Sequence, residues 1–155
     1  MKKNCRDCSA RPGRMHKAGC DVEKCCLCGH QAISCDCVYA VNGMDRDRLE
    51  AEHTSVYENG PTEAMLQKLN AEEKKFGGRL PWTGEWPNKD ACREFGLYSY
   101  WGDRETGEPM EAFSLEVPGK WVECAKDHPA AGEDLNRLHK VASWDKVQRK
   151  WVAKN

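Results

Sequence analysis

Eight of the ten cysteines lie within 33 residues: Cys5, Cys8, Cys20, Cys25, Cys26, Cys28, Cys35 and Cys37, with His16 among them. Thiolate and imidazole are the donors that zinc takes, and a C-x2-C turn brings two sulfurs to one side of the chain. Cys5/Cys8 and Cys25/Cys28 are such pairs, Cys35/Cys37 is a C-x-C pair, and His16/Cys20 makes a fourth. Eight donors close two tetrahedral sites and leave no position for a catalytic water. The chemistry expected is therefore structural metal binding, with two zinc ions per chain. A histidine and two closely paired sites favour zinc over an iron–sulfur cluster.

Spacing alone permits three pairings. In a cross-brace, the first and third pairs share one ion, and the second and fourth share the other. Cys5-x2-Cys8-x16-Cys25-x2-Cys28 matches a zinc ribbon, which favours this arrangement, with His16, Cys20, Cys35 and Cys37 as its second site. Sequential pairing is the main rival, and a single ribbon site with spare thiols is the third. Cys26 falls outside the pairs and reads as a bystander thiol. His30, beside Gly29, is a weaker nitrogen candidate than His16 and reads as a loop residue. Pro12-Gly13 is a turn signal, and Gly29 after Cys28 suits a knuckle whose amides turn toward sulfur. So few apolar residues surround these donors that the module is expected to need metal to fold.

Ten cysteines in a small secreted chain would instead suggest disulfides. The basic start of the sequence lacks an apolar signal core, and no run reaches the roughly 18 apolar residues of a membrane span. The expected address is cytoplasmic, without membrane attachment, where thiols stay reduced and favour metal. Thioredoxin-like redox chemistry lacks the strand-then-helix setting at either C-x2-C. The whole chain carries a formal charge of −1, whereas residues 1–40 carry +3. Two zinc ions and seven thiolates bring that segment to neutral, which cancels most of its apparent case for phosphate binding.

The elements that must position these donors are short. At 155 residues, the chain accommodates a zinc module at 1–40 and a compact domain at 41–155. Residues 45–53 read as a helix capped by Asp45. Pro61 opens a second helix and Gly77 ends it, with Met65, Leu66, Leu69 and Phe76 on the buried stripe and Glu72 and Glu73 in water. Residues 77–87 form a Trp-rich loop, in which Trp82 and Trp86 either cap the core or offer a binding platform. Asn88 caps a short helix with Ala91, inert Cys92 and Phe95 inward. Strands follow at 97–101, 113–117 and 120–124, and Asp127 precedes a helix carrying Leu135 and Leu138. Residues 143–152 fit either a helix or a hairpin. The class expected is α+β: a zinc ribbon or cross-brace followed by helices and a short antiparallel sheet.

The run at 19–23 (GCDVE), the Cys25-x2-Cys28-Gly29 knuckle, Gln31 and Ser34-Cys35-x-Cys37 resemble a family of small, uncharacterised bacterial and phage-type cysteine-rich zinc-binding proteins. Residues 81–87 (PWTGEWP), 92–96 (CREFG) and 133–138 (EDLNRL) extend the resemblance over most of the chain. Such proteins often carry proline where this chain has Cys26, which agrees with a bystander role. The hairpin around 102–118 looks longer than usual, a feature suited to a contact surface. The resemblance implies zinc and implies no particular activity.

Two functions compete. The first is a non-enzymatic interaction protein whose structural zinc and Trp-rich loop present a surface to a protein partner, as yet unidentified. The second is nucleic-acid binding through Arg137, Lys140, Trp144 and Trp151, where basic residues and tryptophans interleave. Catalysis is disfavoured: Asp127, His128, Glu133 and His139 are acid–base candidates without a nucleophile, phosphate or hydrolytic-metal motif to frame them. No small-molecule cofactor is evident.

Overall fold

The computed structural model describes residues 3–110 and 119–154. The expected strand at 113–117 lies outside those residues. The chain forms two compact units, Met1–Pro87 with Trp144–Val152, and Asn88–Ser143 with Ala153–Asn155. The unit that holds the cysteine stretch thus runs well past residue 40.

In the first unit, four helices follow the cysteines: α1 (Cys37–Val41), α2 (Arg46–Ala51), α3 (Ser55–Asn59) and α4 (Glu63–Lys75). Asp45 caps α2 as expected, its carboxylate accepting from the Arg48 amide at 3.1 Å. The cap of α4 is Thr62, which accepts from the Met65 amide, so Pro61 lies just before the helix rather than at its first position. Gly77, at φ +86°, ends the helix in the left-handed region that glycine adopts without strain. The expected stripe on α4 is only partly right. Met65 is buried, Leu69 and Phe76 are half-buried, and Leu66 faces solvent. Glu73, read as part of the wet face, is half-buried beside Cys26 instead. The side chain of Asn42, just after α1, bonds the Met65 carbonyl of α4 at 3.3 Å and locks the two helices together.

The second unit holds α5 (Lys89–Glu94), the strands β1 (Tyr98–Asp103), β2 (Gly119–Glu123) and β3 (Gly132–Glu133), and α6 (Leu135–Val141). The strands form an antiparallel sheet in the order β2-β1-β3. Its core contains Cys92, Leu97, Tyr98 and Leu138. Asn88 occupies the cap position of α5 at φ +70°, and its side chain makes no capping bond to the helix. Asp127 does not cap α6; Asp134 does, accepting from the Arg137 amide at 2.9 Å. The C-terminal segment is a hairpin of β4 (Ala142–Asp145) and β5 (Lys150–Ala153), settling the helix-or-hairpin alternative. Asp145 turns it, accepting from the amides of Val147 and Gln148. The α+β class is therefore observed, with an N-terminal cysteine module that could hold zinc.

Candidate metal centres

All eight expected donors gather into two clusters. Cys5, Cys8, His16 and Cys20 form one, and Cys25, Cys28, Cys35 and Cys37 form the other, with the ligand atoms of each within 4.8 Å of one another. The pairing is sequential, and the cross-brace that the ribbon spacing favoured is not formed. Local backbone geometry explains why. In each cluster the C-x2-C turn closes in the same way. The Ser9 amide donates to Cys5 O at 3.0 Å and the Cys5 amide to Ala10 O at 2.8 Å. The Gly29 amide donates to Cys25 O at 2.9 Å and the Cys25 amide to His30 O at 2.7 Å. The exit residue of each knuckle, Ser9 at φ +61° and Gly29 at φ +75°, is left-handed. Past the second knuckle, the Lys24–Gln31 bridge and the bond from Ala32 N to Glu23 O, 2.7 Å, fold the chain straight back. Cys35 and Cys37 are thereby delivered to their own knuckle.

The first cluster is wholly buried. His16 Nδ1 lies 3.1 Å from Cys20 Sγ and 3.4 Å from Cys8 Sγ, and Cys5 Sγ lies 3.6 Å from Cys20 Sγ. Nδ1 is therefore the nitrogen presented to the thiols. Trp82 holds the imidazole from outside, its ring meeting His16 edge-on at 5.2 Å. The Trp82 indole N–H donates to Lys3 O at 2.7 Å, and its backbone pairs with Gly13 and Arg14 at 2.8 and 2.9 Å. Arg79 completes the support. It donates to His16 O at 3.0 Å and pairs with Glu23, a buried carboxylate two residues from Cys25.

The second cluster is buried at Cys25 and half-exposed at Cys28, Cys35 and Cys37. The Leu27 amide points at Cys25 Sγ from 3.4 Å, a knuckle hydrogen bond to sulfur. The C-terminal hairpin supports this cluster as Trp82 supports the first. Trp144 donates its indole N–H to Cys26 O at 2.9 Å, and Trp151 meets Trp144 and His30 edge-on at 5.9 and 5.7 Å. Arg149 ties the hairpin to the loop after α4 through the carbonyls of Gly77, Gly78 and Arg79. Cys26 is fully buried and stands outside both clusters, in keeping with its bystander reading. Burial first, then Glu73 and Cys25 nearby, pushes its thiol up to about 12.

The thiols of each cluster compete for few protons. Burial opposes charge on Cys8, yet backbone bonds at Lys17 and Ala10 and contacts with His16 and Cys20 bring it down to about 6. Burial pushes Cys20 up to about 12. In the second cluster, hydrogen bonds from Cys28, Cys35 and Cys37 hold Cys25 far below the thiol range, while bonds to Cys25 raise Cys28 and Cys37.

The aromatic and basic candidates divide. Trp82 and Trp151 are buried, Trp144 is half-buried, and Trp86 is 44% exposed. Arg137 pairs with Glu123 at 3.1 Å and Lys140 is exposed, both in the second unit, whereas Trp144 and Trp151 belong to the first. Sequence reasoning missed the supporting roles of Arg79, Glu23 and Arg149; of these, only a lone glutamate between cysteine pairs gave any signal. Comparison with protein-family models, with curated proteins and with solved structures finds no match to this chain. Among the described residues, no helix is long and apolar enough to cross a membrane.

Proposed function

We propose that the chain is a non-enzymatic interaction protein stabilised by two structural zinc ions, its partner a protein. The observation that carries this reading is the pair of complete four-donor sets, one of three cysteines and a histidine and one of four cysteines. A zinc–sulfur bond of about 2.3 Å puts adjacent sulfurs of a tetrahedron roughly 3.8 Å apart. The Cys5–Cys20 separation of 3.6 Å fits a single ion at that distance. An iron–sulfur cluster would hold its thiolates farther apart around inorganic sulfide. Zinc in these sites supplies cross-linking, and the chain's own residues do the rest. Trp82 and Trp144 shield the ligands, and Arg79 neutralises Glu23 near the metal-binding thiolates.

Elemental analysis of the purified chain tests it: two zinc per chain are expected, and none would sink the metal argument. Single variants then read the pairing. Cys5→Ser and Cys20→Ser should each keep only the ion held by Cys25, Cys28, Cys35 and Cys37. Cys25→Ser and Cys37→Ser should each keep only the other. A cross-braced solution structure would instead make Cys5→Ser and Cys25→Ser lose the same ion.

The partner surface proposed is the one beside the first site. There the pairing of Trp82 with residues 13 and 14 sets the loop carrying exposed Trp86 next to the segment carrying Met15, 54% exposed. Tryptophan is enriched among the few residues that carry most of an interface's binding energy, so Trp86→Ala is expected to weaken a captured partner by about 2 kcal/mol, roughly thirtyfold. Pull-down from host lysate followed by titration measures it. Equal binding by wild type and Trp86→Ala would remove this surface from consideration. The basic C-terminal alternative has no comparable support, because Trp151 is buried and the Trp144 indole is bonded to Cys26 O rather than offered for stacking.

A further inference from the structure

The two donor sets differ in access. All four ligands of the histidine-containing set are buried, and Trp82, Arg79 and Val22 pack around them. In the all-cysteine set, Cys25 is buried, but Cys28, Cys35 and Cys37 are partly exposed. That set also carries the greater negative charge once metal is bound, −2 against −1, and anionic, accessible thiolates are the ones that electrophiles attack. Their sulfurs lie within 4.8 Å of one another, so a disulfide between two of them needs little chain movement.

We propose that the open edge formed by Cys28, Cys35 and Cys37 is a modification site for hydroperoxides, through which the second metal is released while the first is retained. This rests on the metal reading above. One thiolate attacks the peroxide O–O bond and becomes a sulfenic acid, and the departing hydroxide takes a proton to form water. A second thiolate of the set attacks that sulfur, displaces its hydroxyl as a second water after protonation, and completes an S–S bond. The two sulfurs give up two electrons and the peroxide accepts them. The two thiolates left no longer make a four-donor site. Because Cys37 is the first residue of α1, and α1 is locked to α4 through Asn42, the change is carried from the ligands into the helices of the same unit.

The test uses the full chain carrying its metal as purified, treated with hydrogen peroxide in the presence of a chromogenic zinc chelator. One of the two ions should appear at least roughly tenfold faster than the other, in step with exposure. Blocking remaining thiols with N-ethylmaleimide and mapping peptides should then find a disulfide among Cys28, Cys35 and Cys37, with Cys5, Cys8 and Cys20 still reduced. Re-addition of a thiol reductant and zinc should restore both ions. Release of both ions together, earlier release from the histidine-containing set, or a disulfide mapped to Cys5, Cys8 or Cys20 would each overturn the proposal. A chain that carries no metal before peroxide is added would defeat the metal reading itself, a separate and distinguishable outcome.

Discussion

Stripping the metal with EDTA is expected to abolish the fixed packing of the first unit. The cluster of buried residues at the histidine-containing set is Cys5, Cys8, Cys20, Val22 and Trp82, so most of its members are candidate ligands rather than hydrocarbon. The helices behind it run from five residues to thirteen, too short to be stable alone. Structural zinc contributes about 10–16 kcal/mol in small metal-dependent modules, as much as the whole net stability of a typical domain. Near-ultraviolet circular dichroism should report the loss, since Trp82, Trp144 and Trp151 all sit against the metal loops. Amide resonances of residues 5–37 should collapse toward random-coil positions. Those of the second unit should persist, because Cys92, Leu97 and Leu138 are buried without metal ligands. Zinc added back should restore the spectrum. An unchanged spectrum after verified metal removal would mean that packing alone holds the module.

The second large effect is expected at Gly29. A β-carbon there would lie 2.6 Å from the Cδ2 and Cε3 atoms of the Trp144 ring, far inside van der Waals contact. The ring cannot retreat freely, since its N–H is bonded to Cys26 O and its edge meets Trp151. The backbone at φ +75° adds its own penalty for any residue with a side chain. Overpacking of about 1–3 kcal/mol and left-handed strain of about 1–2 kcal/mol make Gly29→Ala a loss of about 3 kcal/mol. Urea unfolding measures it. The double variant Gly29→Ala/Trp144→Ala should show strong coupling, because the steric part disappears with the ring and only the backbone part stays. A single-variant loss under about 0.5 kcal/mol would show that the hairpin is not seated where described.

The candidate donors were legible because metal chemistry leaves a rigid signature: residue type and spacing together name Cys5, Cys8, His16, Cys20, Cys25, Cys28, Cys35 and Cys37, the residues that gather into two clusters. The pairing was not legible. C-x2-C spacing fits ribbon, cross-brace and sequential arrangements equally, and the choice is made by backbone bonds such as Cys25 N to His30 O, which any residues can form. Only Gly29 hinted at the turn. Trp82 could be read as a core cap and Trp144 as part of a basic aromatic segment, but not which loop each would brace, since that depends on contacts 79 and 118 positions away in the chain. Asp127 and Asp134 are equally good caps by type; the two-residue strand β3, too short to carry a period, fixes the start of α6 at Asp134. Leu66 misled because helical spacing names a face without saying how wide the covering neighbour is.

The placing of the two tryptophan braces has a consequence for biosynthesis. Both ligand sets are complete once residue 37 has left the ribosome, and Trp82 follows soon after. Trp144 comes 118 positions after the carbonyl it binds. At roughly 5–20 residues per second, the growing chain spends about 5 to 21 seconds with its all-cysteine site metal-competent but uncovered on the hairpin side. Metal supply during translation, rather than in the finished protein, is then the stage at which that site is most open to loading by the wrong ion.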